Sequence, residues 1–232
     1  MKIHDMAGTA NAARIRIVVT GKGVDDQIDY VPVDLLSAEQ KQPAFLAMNP
    51  IGKTPLLELE DGLIISECTA ITEYLDNADG NPVFTGSSPR EKAVIHMMQR
   101  RVEQLVLEPV DDLFHYGTAG LGEALAPWRL ADWAGRQDWA ERRGRAAVQG
   151  FAYFESIIRR EPFLAQDSFT MPDITLYISL GFAEVAGLSL GKFPALSEWR
   201  AKIEELPAVA NRSGKSLPAE VIARLPRHAA PA

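Results

Sequence analysis

Cysteine is almost missing from the chain: Cys68 stands alone in 232 residues. No disulfide can close within it, and a reducing compartment suits such a protein. The same shortage excludes a cysteine-rich zinc site. The four histidines, His4, His96, His115 and His228, have no metal-ligand spacing, so no metal is expected. Long apolar runs are also missing. The longest uncharged one, Ile174 to Ala183, is too short to span a bilayer. Met1 to Asp5 carries charges early and holds no apolar leader core. Positive charge is scarce: 24 Lys and Arg against 31 Asp and Glu leave a net charge of −7. That balance argues against a sequence-independent nucleic-acid surface. Arg100 and Arg101, and Arg142, Arg143 and Arg145, lie among acids in helical patterns and read as solvated or ion-paired faces. A soluble, cytoplasmic protein without nucleic-acid or membrane partners is expected.

What is present is globular in character, 47% hydrophobic and 24% charged, at a length that suits one or two domains. Residues 49 to 76 organise the rest. Pro55 opens an apolar run to Leu59, Asp61-Gly62 signals a hairpin, and Leu63 to Ile65 gives a second short strand. A helix then begins near Ser66 to Thr69, with Ala70, Ile71, Tyr74, Leu75 and Ala78 on one face. A helix start offers open N–H groups and positive dipole to a carboxylate. Upstream, Lys2 to Asp5 reads as a strand, Thr9 to Val19 as a helix closed by Gly21-Lys22-Gly23, and Ile28 to Val33 as a strand. Pro32 marks that strand as an edge, and Pro43 to Met48 is a short helix. The order β-α-β-α-β-β-α implies a mixed sheet.

Turn-rich residues 79 to 88 suggest a domain boundary. Beyond it the patterns are helical. Ser88-Pro89-Arg90-Glu91 is a capping box opening a long helix that Pro109 should kink. Residues 117 to 136 read as irregular. Ala147, Phe151, Phe154 and Ile158 mark another helix. Thr170 to Asp173 is a second capping box, before a nearly uncharged, central helix from Ile174 to Leu188. Leu196 to Leu206 is the last clear helix, and the pattern fades from Pro207. Gly187-Leu188-Ser189-Leu190-Gly191 has the spacing of a nucleophile elbow, with His228 further on. An elbow needs a strand before its serine, and a helical pattern precedes this one.

Asn49-Pro50-x-Gly52-Lys53-Thr54-Pro55-x-Leu57 and Ile65-Ser66-Glu67-Cys68-x-Ala70-Ile71-x-x-Tyr74-Leu75 resemble the cytosolic glutathione S-transferase family. Thr9-x-Asn11-x-x-Arg14-Ile15 and Phe169-Thr170-x-x-Asp173-Ile174 extend the likeness, of a bacterial, Ser/Cys/Thr-like rather than Tyr-type kind, to about residues 2–206. The resemblance implies an α/β plus all-α fold: a thioredoxin-like domain with a mixed four-stranded sheet over 1–81, an all-helical domain over 88–210, and a tail over 211–232. It implies a homodimer and a detoxifying transferase with glutathione as co-substrate. That enzyme would stabilise the glutathione thiolate and transfer it to a hydrophobic electrophilic small molecule, or reduce a glutathionyl disulfide. The alternative is a non-catalytic interaction module of the same fold.

Residue by residue, the resemblance makes Pro55 the cis-proline and sets the Thr54 backbone against the cysteinyl part of glutathione. Glu67 and the Cys68 N–H would hold the γ-glutamyl end, and Lys53 and Gln40 lie where the glycyl carboxylate can be reached. Cys68 replaces the usual serine, which removes a hydroxyl contact. Thr9 aligns with the thiol-activating position, and Asn11 is the other candidate donor. Thr9 as a plain helix cap, Glu67 as a dipole-complementing acid and Cys68 as a small buried residue are the structural alternatives. The second-substrate pocket is expected between Met6 to Ala10 and residues 97 to 136.

Overall fold

The computed structural model describes residues 1–128 and 133–225. His228, the last residue of the hydrolase-like pattern, lies outside them. The sheet has the strand order β2-β1-β3-β4: β1 (Lys2–Asp5), β2 (Asp29–Pro32), β3 (Leu56–Glu58) and β4 (Ile64–Ile65). β1 is parallel to β2 and antiparallel to β3, with Ile3 opposite Tyr30 on one side and Leu57 on the other. Pro32, which lacks an N–H, sits on the edge strand as expected. The hairpin uses a three-residue loop rather than a two-residue turn. Leu59 N–H donates to Leu63 O at 2.9 Å, and Gly62, at φ 85°, supplies the left-handed residue.

Helix α1 (Ala10–Lys22) runs through Gly21 and ends at Gly23 in the left-handed conformation. Gly21 is therefore interior, where an added Cβ would meet the Phe84 ring at 2.3 Å. Helix α2 (Pro43–Met48) starts on its proline as the sequence indicates. Helix α3 (Cys68–Asn77) turns Cys68, Ile71, Thr72, Leu75 and Asp76 inward. Ala70 and Tyr74, expected on that face, are exposed. Asp76 is fully buried and explains the difference: it accepts from the N–H groups of Val83, Phe84 and Thr85 and from the Thr85 hydroxyl. That demand fixes the helix rotation and ties its end to the following turn.

Beyond this turn the described residues form no strand. Helix α4 (Pro89–Val102) starts with the expected capping box. The kink expected at Pro109 takes a specific form: Glu103–Leu107 is a π-helical turn, and α5 (Glu108–Gly117) follows directly. Pro109 has no N–H to offer the preceding turn, so the ladder widens there instead of bending sharply. Helices α6 (Arg136–Ile158), α7 (Met171–Val185) and α8 (Pro194–Glu204) complete the bundle, with α7 buried as its composition implies. The Gly187–Gly191 segment follows a helix, which removes the context an elbow needs. Phe151, Phe154, Leu176 and Leu180 form its dry centre, in one cluster with Ile3, Ile15, Leu57 and Ile71 under the sheet.

Gly150 on α6 lies against the π turn, where a Cβ would stand 2.1 Å from the Leu105 carbonyl oxygen. A backbone oxygen cannot rotate away. Gly150→Ala is expected to lower stability by roughly 2 to 3 kcal/mol in urea unfolding. Gly181→Ala, whose Cβ meets only Arg200 at 3.6 Å, should cost nothing or stabilise.

The described part of the tail folds back on the molecule, although the sequence pattern fades from Pro207. Short helices α9 (Pro207–Ala210) and α10 (Ala219–Ile222) bracket a strap back to the sheet. Val221 packs with Met6, Leu36, Phe45 and Leu56, and Arg224 pairs with Asp34 at 2.9 Å.

Candidate functional site

One cavity of about 910 Å³ lies where the sheet's loops face the helices. It collects every residue singled out in the sequence: Thr9, Asn11, Gln40, Lys53, Thr54, Pro55, Glu67 and Cys68. The Thr54–Pro55 bond is cis. Neither the N–H nor the C=O of Thr54 has a hydrogen-bond partner among the described residues. Asn49, buried, donates to Lys53 O at 2.9 Å and holds this loop in place.

The start of α3 forms the second wall. Its first internal bond runs from Ile71 N–H to Glu67 O, so the N–H groups of Cys68, Thr69 and Ala70 stay open. Glu67 is in the N-cap position with φ 68° and ψ 122°, a conformation that costs a non-glycine residue about 1–3 kcal/mol. It is exposed to the cavity, and among the described residues no ion pair or hydrogen bond engages its carboxylate. The Cys68 thiol is buried and donates to Asn11 O at 3.7 Å. Burial pushes its pKa up, which keeps it a thiol. Cys68 thus offers a ligand its backbone N–H, while its side chain fastens α3 to α1.

The loop between β1 and α1 is the third wall. The Thr9 hydroxyl donates to Met6 O at 2.8 Å and makes no helix-capping bond. Its proton is committed, and only its lone pairs remain. Asn11 is arranged the other way. Its Oδ1 accepts from Arg14 Nη1 at 3.2 Å, which leaves its Nδ2–H₂ as an open donor beside the cavity. Arg14 is held in turn by Glu103 at 3.4 Å, and Glu103 accepts from Thr69 and Gln99. The π turn starts at Glu103, so the widened helix serves to bring a carboxylate to this joint.

Lys53 and Lys41 crowd a fourth wall. Lys41 donates to Ile51 O at 3.1 Å, and burial, then the Lys53 charge, lower its pKa. Gln40 beside them is buried with its Oε1 unpartnered. Lys41 escaped the sequence reading, although its place next to Gln40 was a signal.

The opposite side is apolar and aromatic. Phe114 on α5 stacks edge-on with Phe182 on α7 at 5.0 Å between centroids, with Tyr177, Ile178 and Leu121 nearby. His115 lines the cavity with its Nε2 3.4 Å from Asp111 Oδ1. Burial raises the Asp111 carboxyl pKa, but His115 and Lys53 outweigh it and hold the group below the usual range. The expected pocket omitted α7 and the tail. Gly8 N–H donates to Gly214 O at 2.9 Å, and Arg16, paired twice with Asp5, also holds Ser213 at 2.9 Å. A Cβ on Gly8 would lie 2.2 Å from Leu217 N. These contacts bring Arg212, Lys215 and Leu217 to the cavity. No periodicity announces such a strap. Among the described residues no cluster of three or more His, Cys, Asp or Glu could hold a metal, and no helix is long and apolar enough to cross a membrane.

Comparison with known proteins supplies the family. Two family models match: "Glutathione S-transferase, N-terminal domain" over residues 1–77 and "Glutathione S-transferase, C-terminal domain" over 137–202. Glutathione S-transferase 2 of Saccharomyces cerevisiae is 40% identical over 210 residues, covering 90% of this chain and 88% of that protein. The maleylacetoacetate isomerase of Pseudomonas aeruginosa is 30% identical over 84% of this chain and 87% of that one. The crystal structure of Gtt2 from S. cerevisiae aligns with a TM-score of 0.86 at 39% identity, covering 91% of this chain and 99% of that one. A glutathione S-transferase domain-containing protein from Marinobacter aquaeolei aligns with a TM-score of 0.84 at 40% identity, over 90% and 100%.

Proposed function

Because the chain belongs to the glutathione S-transferase family, we propose that it binds glutathione, stabilises its thiolate and transfers it to a hydrophobic electrophile or reduces a glutathionyl disulfide with it. One observation carries the reading: the Thr54 backbone, the N–H groups of Cys68 and Thr69 and the Glu67 carboxylate, all without partners among the described residues, line one cavity. A peptide can pair with Thr54 in strand fashion, whatever its side chain. Its γ-glutamyl carboxylate suits the α3 start, and its ammonium suits Glu67. Lys53, Lys41 and Gln40 suit the glycyl carboxylate. Pro55 shapes the loop that presents Thr54.

Thiol activation is a matter of donors. A free thiol near pKa 8.5 is only a few per cent ionised at pH 7, and lowering it by about two units needs roughly 2.7 kcal/mol. One hydrogen bond to a charged acceptor supplies about 1.5 to 3 kcal/mol. Of the two candidates, Asn11 has the free donor and Thr9 does not. We therefore assign the thiolate contact to Asn11 Nδ2 and a loop-setting role to Thr9. Asn11→Ala is expected to lower kcat/KM for a chlorodinitrobenzene acceptor by about ten-fold or more, and Thr9→Ala by less. The reverse order would return the role to Thr9. An absence of turnover alongside retained glutathione binding would favour the non-catalytic module instead.

We assign the glutathione-binding unit to residues 1–81, the helical unit to 88–210 and the strap to the tail from 211. A detoxifying role in the cytoplasm and a homodimer fit this reading. Exposed Tyr74, Met97 and Leu105 support pairing between copies.

A further inference from the structure

Two nitrogens of the Arg212 guanidinium are left without a hydrogen-bond acceptor among the described residues. Its Nη1 donates to Val209 O at 2.7 Å. Among the described residues its Nε is buried without a hydrogen-bond partner, and no hydrogen bond or ion pair engages Nη2. Nε and Nη2 form the side of the guanidinium that matches a carboxylate with two parallel bonds. The group lies over the Tyr177 ring at 5.9 Å, on the apolar side of the cavity. Its charged neighbours there do not neutralise it. Arg200 is already paired with Glu184 at 2.6 Å. Lys215 donates to Ala210 O and adds positive charge, and Glu204 is exposed with no ion pair among the described residues. Gly181 leaves the α7 wall open at this point.

We propose that Arg212 selects a second substrate bearing a carboxylate, seated by its Nε–Nη2 edge with the apolar part against Tyr177 and Phe182. The strap makes this a property of the folded tail: Gly214 on Gly8 and Ser213 on Arg16 hold Arg212 at the cavity. The inference rests on the glutathione-transfer reading for what the ligand then does, but its test requires no turnover.

The probes are 3,5-dinitrobenzoate and neutral 1,3-dinitrobenzene, titrated calorimetrically with and without S-methylglutathione. The wild type is expected to bind the benzoate about ten-fold or more tightly than the neutral ring, with a preference that shrinks as salt rises. Arg212→Gln should abolish the preference and leave the neutral ring within about two-fold. Arg212→Lys, which keeps the charge but loses the fork, should retain part of it. Equal affinities in the wild type would overturn the proposal, even if the Gln variant fails to fold. An undiminished preference in Arg212→Gln would do the same. So would a loss of glutathione affinity matching the loss for the benzoate, which would assign Arg212 to the tripeptide.

Discussion

Alanine in place of Glu67 is expected to weaken glutathione binding by about ten- to a hundred-fold. The carboxylate is exposed to the cavity and no group among the described residues engages it. The backbone at φ 68° holds it there at a cost in stability. A charge-assisted bond to an ammonium is worth about 1.5 to 3 kcal/mol, which gives that range. Two further variants separate charge from strain. Glu67→Gln keeps the shape and should still lose most of the affinity. Glu67→Gly accepts the positive φ freely, so it should be more stable than Glu67→Ala while binding no better. Calorimetric titration reads the affinities and urea unfolding the stabilities. An alanine variant within two-fold of wild type would remove Glu67 from the ammonium site.

The largest loss of stability is expected from Asp173→Ala, roughly 3 to 4 kcal/mol. The carboxyl is fully buried and accepts from Leu164 N–H at 2.9 Å, Thr170 N–H at 3.0 Å and the Thr170 hydroxyl at 2.9 Å. Removing it strands these donors at the head of the most buried helix, and each stranded donor costs about 1–3 kcal/mol. The same site has a pH signature. Burial pushes the carboxyl up to about 7, against the pull of the Leu164 and Thr170 donors. The folded protein then holds a proton that the unfolded chain, near pKa 3.9, releases. The stabilisation this proton brings is full below about pH 4 and is lost as pH rises through 7. Asn mimics the protonated form at every pH. The stability gap between wild type and Asp173→Asn should therefore narrow from pH 5 to pH 8 in paired unfolding curves. A gap that widens would contradict the assignment.

Local chemistry made much of the fold readable before any coordinates. Pro43 at a first turn, Gly23 at a helix end and the two capping boxes each act within four residues, and each stands where the sequence indicated. The departures come from long-range demands. Asp76 rotates α3 to meet the 83–85 backbone, which exposes Tyr74. Pro109 acts together with the close approach of Gly150, and the outcome is a π turn. The proposed glutathione wall was readable because most of its residues, Lys53, Thr54, Glu67 and Cys68, are clustered in residues 49 to 76. The apolar wall was not, because it is completed by α7 and by a tail held through contacts such as Arg16 on Ser213, 197 residues apart. Side-chain direction was hidden as well. The chain favoured Thr9 over Asn11 for the thiol contact, and only Met6 O and Arg14 distinguish which has a donor to spare.

The most direct test of the central claim is the thiolate ultraviolet absorbance of glutathione bound to the wild-type protein, followed against pH. An apparent thiol pKa roughly two units below the free value near 8.5 is expected, moving back up in Asn11→Ala. Bound glutathione that titrates like the free tripeptide in both proteins would contradict the account.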